Sequence, residues 1–222
     1  MALADNALTT LSVVKNELGI TNSNSDSYLE RQINTYSDIF RTATGRPWHR
    51  DDAYTEKVTS TGDTRLHLER RPVRSVSEVK VKGDTVDADG YEIEDDEKGY
   101  LRRIDERWEH TAAGRRRVEG YATHHELRVE VTYDGGYVTP KQVDDGAFSD
   151  RDLPHDIEQA VIDSVINAYA RKGQPKNVSS ESIDTASVDY HIPDTADAKV
   201  QGISASQSFQ GAVERYKDRS VL

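Results

Sequence analysis

The 222 residues are 35% apolar and 31% charged, with a formal net charge of −11, a balance that allows only a modest core unless a neighbouring chain completes it. Such an acidic chain is unsuited to coating nucleic acid, because neutralising phosphates takes a basic surface. With no cysteine it has no disulfide framework, thiol nucleophile or thiolate metal site.

The length suits one globular unit carrying a large insertion or appendage. The kind of charge is informative as well: 24 Asp stand against 16 Glu, and 19 Arg against 10 Lys. Short carboxylates in excess, with arginine preferred to lysine, suit a surface that stays hydrated where salt screens ordinary repulsion. A high-salt habitat is the expectation. The start MALADNALTT has neither a basic n-region nor a long apolar core, and nowhere do eighteen apolar residues run together. The chain is therefore expected to be soluble and unsecreted, with no membrane partner.

In chain order, Thr9 or Thr10 can cap a short helix in which Leu11, Val14 and Leu18 share a face, with Gly19 at a left-handed C-cap. The polar link TNSNSDS follows. Leu29, Ile33, Tyr36 and Phe40 then recur at helical steps until Gly45 and Pro47 stop a second helix.

From about Asp51 the period falls to 2: Leu66 and Leu68, then Val73, Val76, Val79 and Val81, and later Leu127, Val129, Val131 and Tyr133. Gly62-Asp63, Gly83-Asp84 and Asp89-Gly90 supply turns, so residues 51–139 read as an antiparallel sheet or sandwich of five or six strands. In VTYDGGYVTP the pair Gly135-Gly136 can cradle a phosphate or bend the chain. A phosphate site needs a helix immediately after the glycines, and Tyr137 to Pro140 instead read as extended, so a bend or bulge is expected.

KQVDDGAFSDRD reads as a polar loop, after which Asp152 caps a helix with Pro154 in its first turn. On that helix Ile157, Val161, Val165 and Ala168 share a face that Ala160, Ile162 and Ile166 widen. A face so wide is buried on more than one side, here by the second helix and a neighbouring subunit. From Pro175 the chain is rich in Ser, Asp, Thr and Gln until SFQGAVERYKDRSVL. It reads as an extended arm that orders on a partner, with Ile183, Val188, Tyr190, Phe209, Val213 and Tyr216 as anchors. The fold class expected is α+β: a small helical bundle (1–50 and 140–174), an inserted antiparallel β domain (51–139) and an extended C-terminal arm (175–222).

Chemistry-bearing patterns are few. Seven histidines form no H-x-x-x-H or H-E-x-x-H pair, and His124 and His125, adjacent on a strand, point to opposite faces. Asp87, Asp89 and Gly90 resemble part of a calcium loop, but its first position is Thr85 and its last Asp96 rather than Glu. Arg70-Arg71, Arg102-Arg103 and Arg115-Arg116-Arg117 read first as surface arginines beside abundant carboxylates. A sharper reading places the Arg115–Arg117 loop on a DNA channel, touching phosphates without reading sequence. No P-loop, nucleophile elbow or dinucleotide fingerprint occurs. No catalytic, cofactor-binding or metal residue is assigned, and no enzyme activity is expected.

The order of elements carries a resemblance. A helix VVKNELGI, a longer one ending ATGR, strands in LHLERRPVRSVSEVKVKG and DGYEIEDDEKGYLRR, then VEVTYDGGY leading to DLPHDIEQAVIDSVINAYARKG resemble the head-to-tail connector, or adaptor, family of tailed viruses of bacteria and archaea. The resemblance covers residues 8–173 and extends loosely to AVERYKDRSVL. It implies a virion neck protein assembled in the host cytoplasm: a ring, usually of twelve subunits, docked on the portal above tail or head-closure proteins, with DNA passing through the lumen. It also implies that the arm, here Phe209, Val213, Tyr216, Val221 and Leu222, embraces the portal, and that Ile157, Val161 and Val165 face the next subunit. A head-closure or tail-terminator protein of the same neck is the runner-up, and a nucleic-acid-binding regulator or a carboxylate-based metal hydrolase are rivals of other classes.

Overall fold

The computed structural model describes residues 2–109, 129–172, 180–183, 186–189 and 206–217, the stretches 180–183 and 186–189 as backbone only. The chain divides into two units, Met1–Gly45 with Leu153–Leu222, and Arg46–Asp152.

The first unit is helical. Helix α1, Leu11–Leu18, starts where Thr10 turns extended and its side-chain oxygen accepts the Val13 N–H, and it ends on Gly19 at φ 65°. The N–H groups of Gly19 and Ile20 return to the Asn16 and Lys15 carbonyls, closing the helix with a left-handed residue that glycine adopts without a Cβ penalty. Helix α2, Asp26–Thr44, buries Leu29, Ile33, Tyr36 and Phe40 at the expected spacing and stops at Gly45, φ 74°. Helix α4, His155–Ala170, contributes Ile157, Ala160, Val161, Ile162 and Val165 to the same core. Helix α5, Gln207–Tyr216, packs on α2 and α4. The segment before α1 is fastened to α2, with Ala4 N–H on the Asn34 side chain and Leu8 N–H on Ser37 Oγ.

The second unit is built on β7, Val129–Gly135, whose residues alternate strictly between buried and half-buried. It is flanked antiparallel by β1, Asp51–Val58, and β3, Val73–Val81, in a four-stranded sheet of order β1-β7-β3-β4, with β4 at Asp84–Thr85. A three-stranded antiparallel sheet has the order β2-β6-β5, with β2 at Arg65–His67, β5 at Tyr91–Asp95 and β6 at Tyr100–Arg103. Leu66 and Leu101 from one sheet, with Leu68 just after β2, join Val73, Val79, Val129, Val131 and Tyr133 from the other, with Trp108, in a single core. Strands β8, Ser180–Ile183, and β9, Ala186–Asp189, pair as a separate hairpin.

Three local expectations are corrected. Residues after Pro140 are not simply loop: Thr139 and Gln142 form a reciprocal capping box with Pro140 at the first turn, which nucleates the short helix α3, Pro140–Asp144. Asp152 does not cap α4. Its carboxylate accepts the Val138 N–H at 2.6 Å and pairs with Arg74, and Pro154 itself occupies the cap position. The β unit accordingly runs wider than the two-residue periodicity, from Arg46 to Asp152.

The glycine pair ends β7. Gly135 aligns with both Asp51 and Val73, and a Cβ there would lie 2.4 Å from the Arg70 carbonyl oxygen. Gly136, at φ 92°, sits where a Cβ would meet the His49 carbonyl oxygen at 2.5 Å. The bulges lie in the neighbours, between Asp51 and Tyr54 in β1 and between Val73 and Ser75 in β3. Asp134 fastens both, accepting the Ala53 N–H and the Ser75 hydroxyl at 2.8 Å each. These bonds, the backbone one foremost, hold its carboxyl below the usual carboxylate range.

Candidate functional site

Among the described residues the turn between β2 and β3, Glu69-Arg70-Arg71-Pro72, is densely wired, and its Arg71–Pro72 peptide is cis. Its arginines are not surface cations: Arg70 and Arg71 are only 6% and 8% exposed. Arg70 donates to the His49 carbonyl at 2.6 Å, lies 4.5 Å over the Tyr54 ring and is 3.6 Å from Asp51. Arg71 Nη1 donates to His67 Nε2 at 2.8 Å and to the Lys98 carbonyl at 3.2 Å. Both guanidiniums thus serve as rigid multi-donor clamps on backbone, a task to which arginine is better suited than lysine.

Glu56, buried on β1, completes the turn. Its carboxylate accepts the Tyr133 hydroxyl at 2.5 Å and the Glu69 N–H at 3.1 Å, while Tyr133 Oη accepts the Arg70 N–H at 3.1 Å. Burial raises the Glu56 carboxyl above its ordinary range, against the hydrogen bonds from Tyr133 and Glu69. Burial likewise raises the Tyr133 phenol, helped by the negative charge of Glu56. Close by, Arg46 stacks 3.8 Å over Trp48, Trp48 stacks on Tyr137, and the Tyr137 hydroxyl donates to Glu97 at 2.8 Å. The partners of these charges are backbone carbonyls and N–H groups, aromatic rings, phenol hydroxyls and the Asp51 carboxylate of the same unit, so the cluster fixes geometry.

Arg102 does behave as a surface cation and pairs with Glu92, whereas Arg103 is half-buried, 5.5 Å over the Trp108 ring, and pairs with Glu106. With Thr64, Asp105 and Arg107 they line an open pocket of about 460 Å³. Asp87 leads into a 3-10 turn, Ala88–Gly90, that opens β5. Among the described residues no three His, Asp or Glu side chains gather to hold a metal ion, and no helix is long and apolar enough to cross a membrane.

Within the single chain the expected apolar anchors are covered. Phe209 is fully buried, its ring 5.4 Å from Phe40 and 6.0 Å from Tyr36, both edge-on. Val213 is 6% exposed, and the Tyr216 hydroxyl donates to Asp156 at 3.0 Å. Ser206 accepts the Phe209 N–H at the start of α5, and Ser208 donates to Asp163 at 2.6 Å. This part of the arm is therefore a helix docked on its own unit, because its i, i+3, i+4 apolar stripe finds a groove within the chain. Ile157, Val161 and Val165 are likewise fully covered inside one subunit, and their wide face is closed by α1, α2 and α5 together. Val221, Leu222, Tyr190 and the loop Arg115, Arg116 and Arg117 lie outside the described residues, as do His124 and His125.

The fold and these fastenings define an α+β building block whose unusual side chains stiffen its own frame. A head completion protein profile matches residues 7–198, and the chain belongs to that family. Solved structures similar to it include a chain of the neck of an empty gene transfer agent particle solved with C6 symmetry. That chain is 14% identical at a TM-score of 0.55, with 100% of this chain and 95% of that chain covered. A second is a chain of the native particle's neck solved with C12 symmetry, 16% identical at 0.50, covering 100% and 94%. A third belongs to the virion of the native gene transfer agent particle, 14% identical at 0.55. No protein of the curated set matches the chain.

Proposed function

We propose that this head completion protein is a structural subunit of the virion neck, forming a ring that docks on the portal and joins capsid to tail. The observation that carries the reading is the family profile, which spans both units from residue 7 to 198. The likeness of fold to neck chains solved with C6 and C12 symmetry supports a cyclic assembly, and a ring of twelve copies is compatible with the C12 case. Its role is mechanical rather than catalytic: the wired turn at Glu69–Pro72 keeps each subunit stiff while DNA passes through the ring. An acidic chain suits such a passage, because DNA slides past carboxylates without lodging. The same carboxylates keep the subunit soluble in the high salt its composition favours.

The test is assembly with the portal protein of the same particle in molar salt. A closed ring coaxial with the portal, bound without nanomolar affinity for free DNA, is the expected result. A chain that stays monomeric beside the portal, or binds free duplex tightly in low salt, contradicts it.

A further inference from the structure

A cyclic ring needs a heterologous contact, in which one patch of each subunit meets a different patch of the next. Stable contacts of that kind carry an apolar centre. Among the described residues the only large apolar side chain left exposed is Ile93, at 37%. The face that looked available, Ile157, Val161 and Val165, is closed within the subunit. One apolar surface can still be handed to a neighbour without unfolding anything: the groove of α2 and α4 that α5 fills.

We propose that in the assembled ring α5 of each subunit docks in the α2/α4 groove of the next copy, so that the ring is closed by exchanged helices. This rests on the ring reading above. Helix and groove are already complementary halves of a heterologous contact. Phe209, Ala212 and Val213 form the buried stripe, and Phe209 sits between Tyr36 and Phe40. The polar rim is directional: Ser206 with Ser164, Ser208 with Asp163, and Arg215 and Tyr216 with Asp156. Made in trans, the same bonds form, so exchange loses no contact and gains the connection between subunits.

The length of chain between α4 and α5 permits it. About 35 residues separate the end of α4 from Ser206, a contour on the order of 100 Å when extended, and the β8–β9 hairpin takes up only a short part of it. Adjacent domains of this size lie a few tens of Å apart in a closed ring. Once subunits are held side by side, a neighbour's α5 competes for each groove at high effective concentration.

The chain has no cysteine, which makes the test direct. Asp163→Cys and Ser208→Cys are prepared as separate proteins, mixed before assembly with the portal, and treated with an oxidant or a short bismaleimide. Their side chains meet at 2.6 Å in the native pair. A covalent two-chain product in the mixed rings, well above that from either variant alone, is expected, since only a helix docked on another chain can give it. Rings that form but yield no such product, while the double variant Asp163→Cys/Ser208→Cys cross-links within single chains, overturn the exchange and leave the ring standing. A mixture that forms no ring with the portal, where the unaltered chain also forms none, overturns the ring reading and the exchange with it.

Discussion

Replacing Phe209 by alanine separates a docked helix from an arm waiting for a partner. In the structure the Phe209 ring is fully buried and packs edge-on against Phe40 and Tyr36. Truncating a buried phenylalanine costs about 3–5 kcal/mol, of which each aromatic pair accounts for roughly 0.5–1.5. Helix content reports chiefly on the helical unit, whereas Trp48 and Trp108 both lie in the β unit. Urea unfolding followed by far-ultraviolet circular dichroism should therefore lose its helical transition earlier, by about 2 M for an m of roughly 2 kcal/mol/M. Tryptophan fluorescence should move less. A helical midpoint within about 0.3 M of the unaltered chain would refute the reasoning and return Phe209 to the role of an exposed anchor.

Gly136→Ala should destabilise the β unit by more than about 2 kcal/mol, because the new Cβ meets the His49 carbonyl at a positive φ; tryptophan fluorescence during thermal unfolding measures it. Glu56 gives a pH test. Its folded carboxyl titrates above the unfolded one, so the folded state holds the proton more tightly and stability falls as pH rises from the unfolded value through the folded one. Glu56→Gln, which keeps an acceptor for Tyr133, should flatten that slope just above the ordinary carboxyl range, while Glu56→Ala should cost about 1–3 kcal/mol below that range, where the carboxyl is protonated, and less above it. An unchanged slope in the glutamine variant counts against a strained Glu56. Val161→Asp should abolish helical structure in the single chain, since the position is fully buried there. A folded monomer that merely fails to form rings would place the residue at a subunit boundary instead.

Much of the fold was legible because it follows from local chemistry. Thr10, Gly19 and Gly45 mark helix ends by capping and left-handed geometry, and the period-two valines of β3 and β7 mark the central sheet. Gly135-Gly136 was readable as a bend, though the reason for two glycines, backbone closing in from Arg70 and His49, is a long-range fact. The wired turn was not legible. Arg70 and Arg71 look like any surface pair, and their burial depends on Glu56 and Tyr133 arriving from distant strands. One signal was available: period two places Glu56 on the same strand face as Tyr54 and Val58, and a carboxylate on an inward face needs partners. The arm misled for a related reason. Its composition resembles a disordered tail, and nothing local says that Phe209 has a groove on α2 and α4.

The most direct test of the account is an image of the assembled particle in which this chain is counted and located. The account predicts a closed ring of identical copies at the neck, on the portal axis, most simply twelve. Copies scattered over the capsid surface, or a single copy per particle, would contradict it.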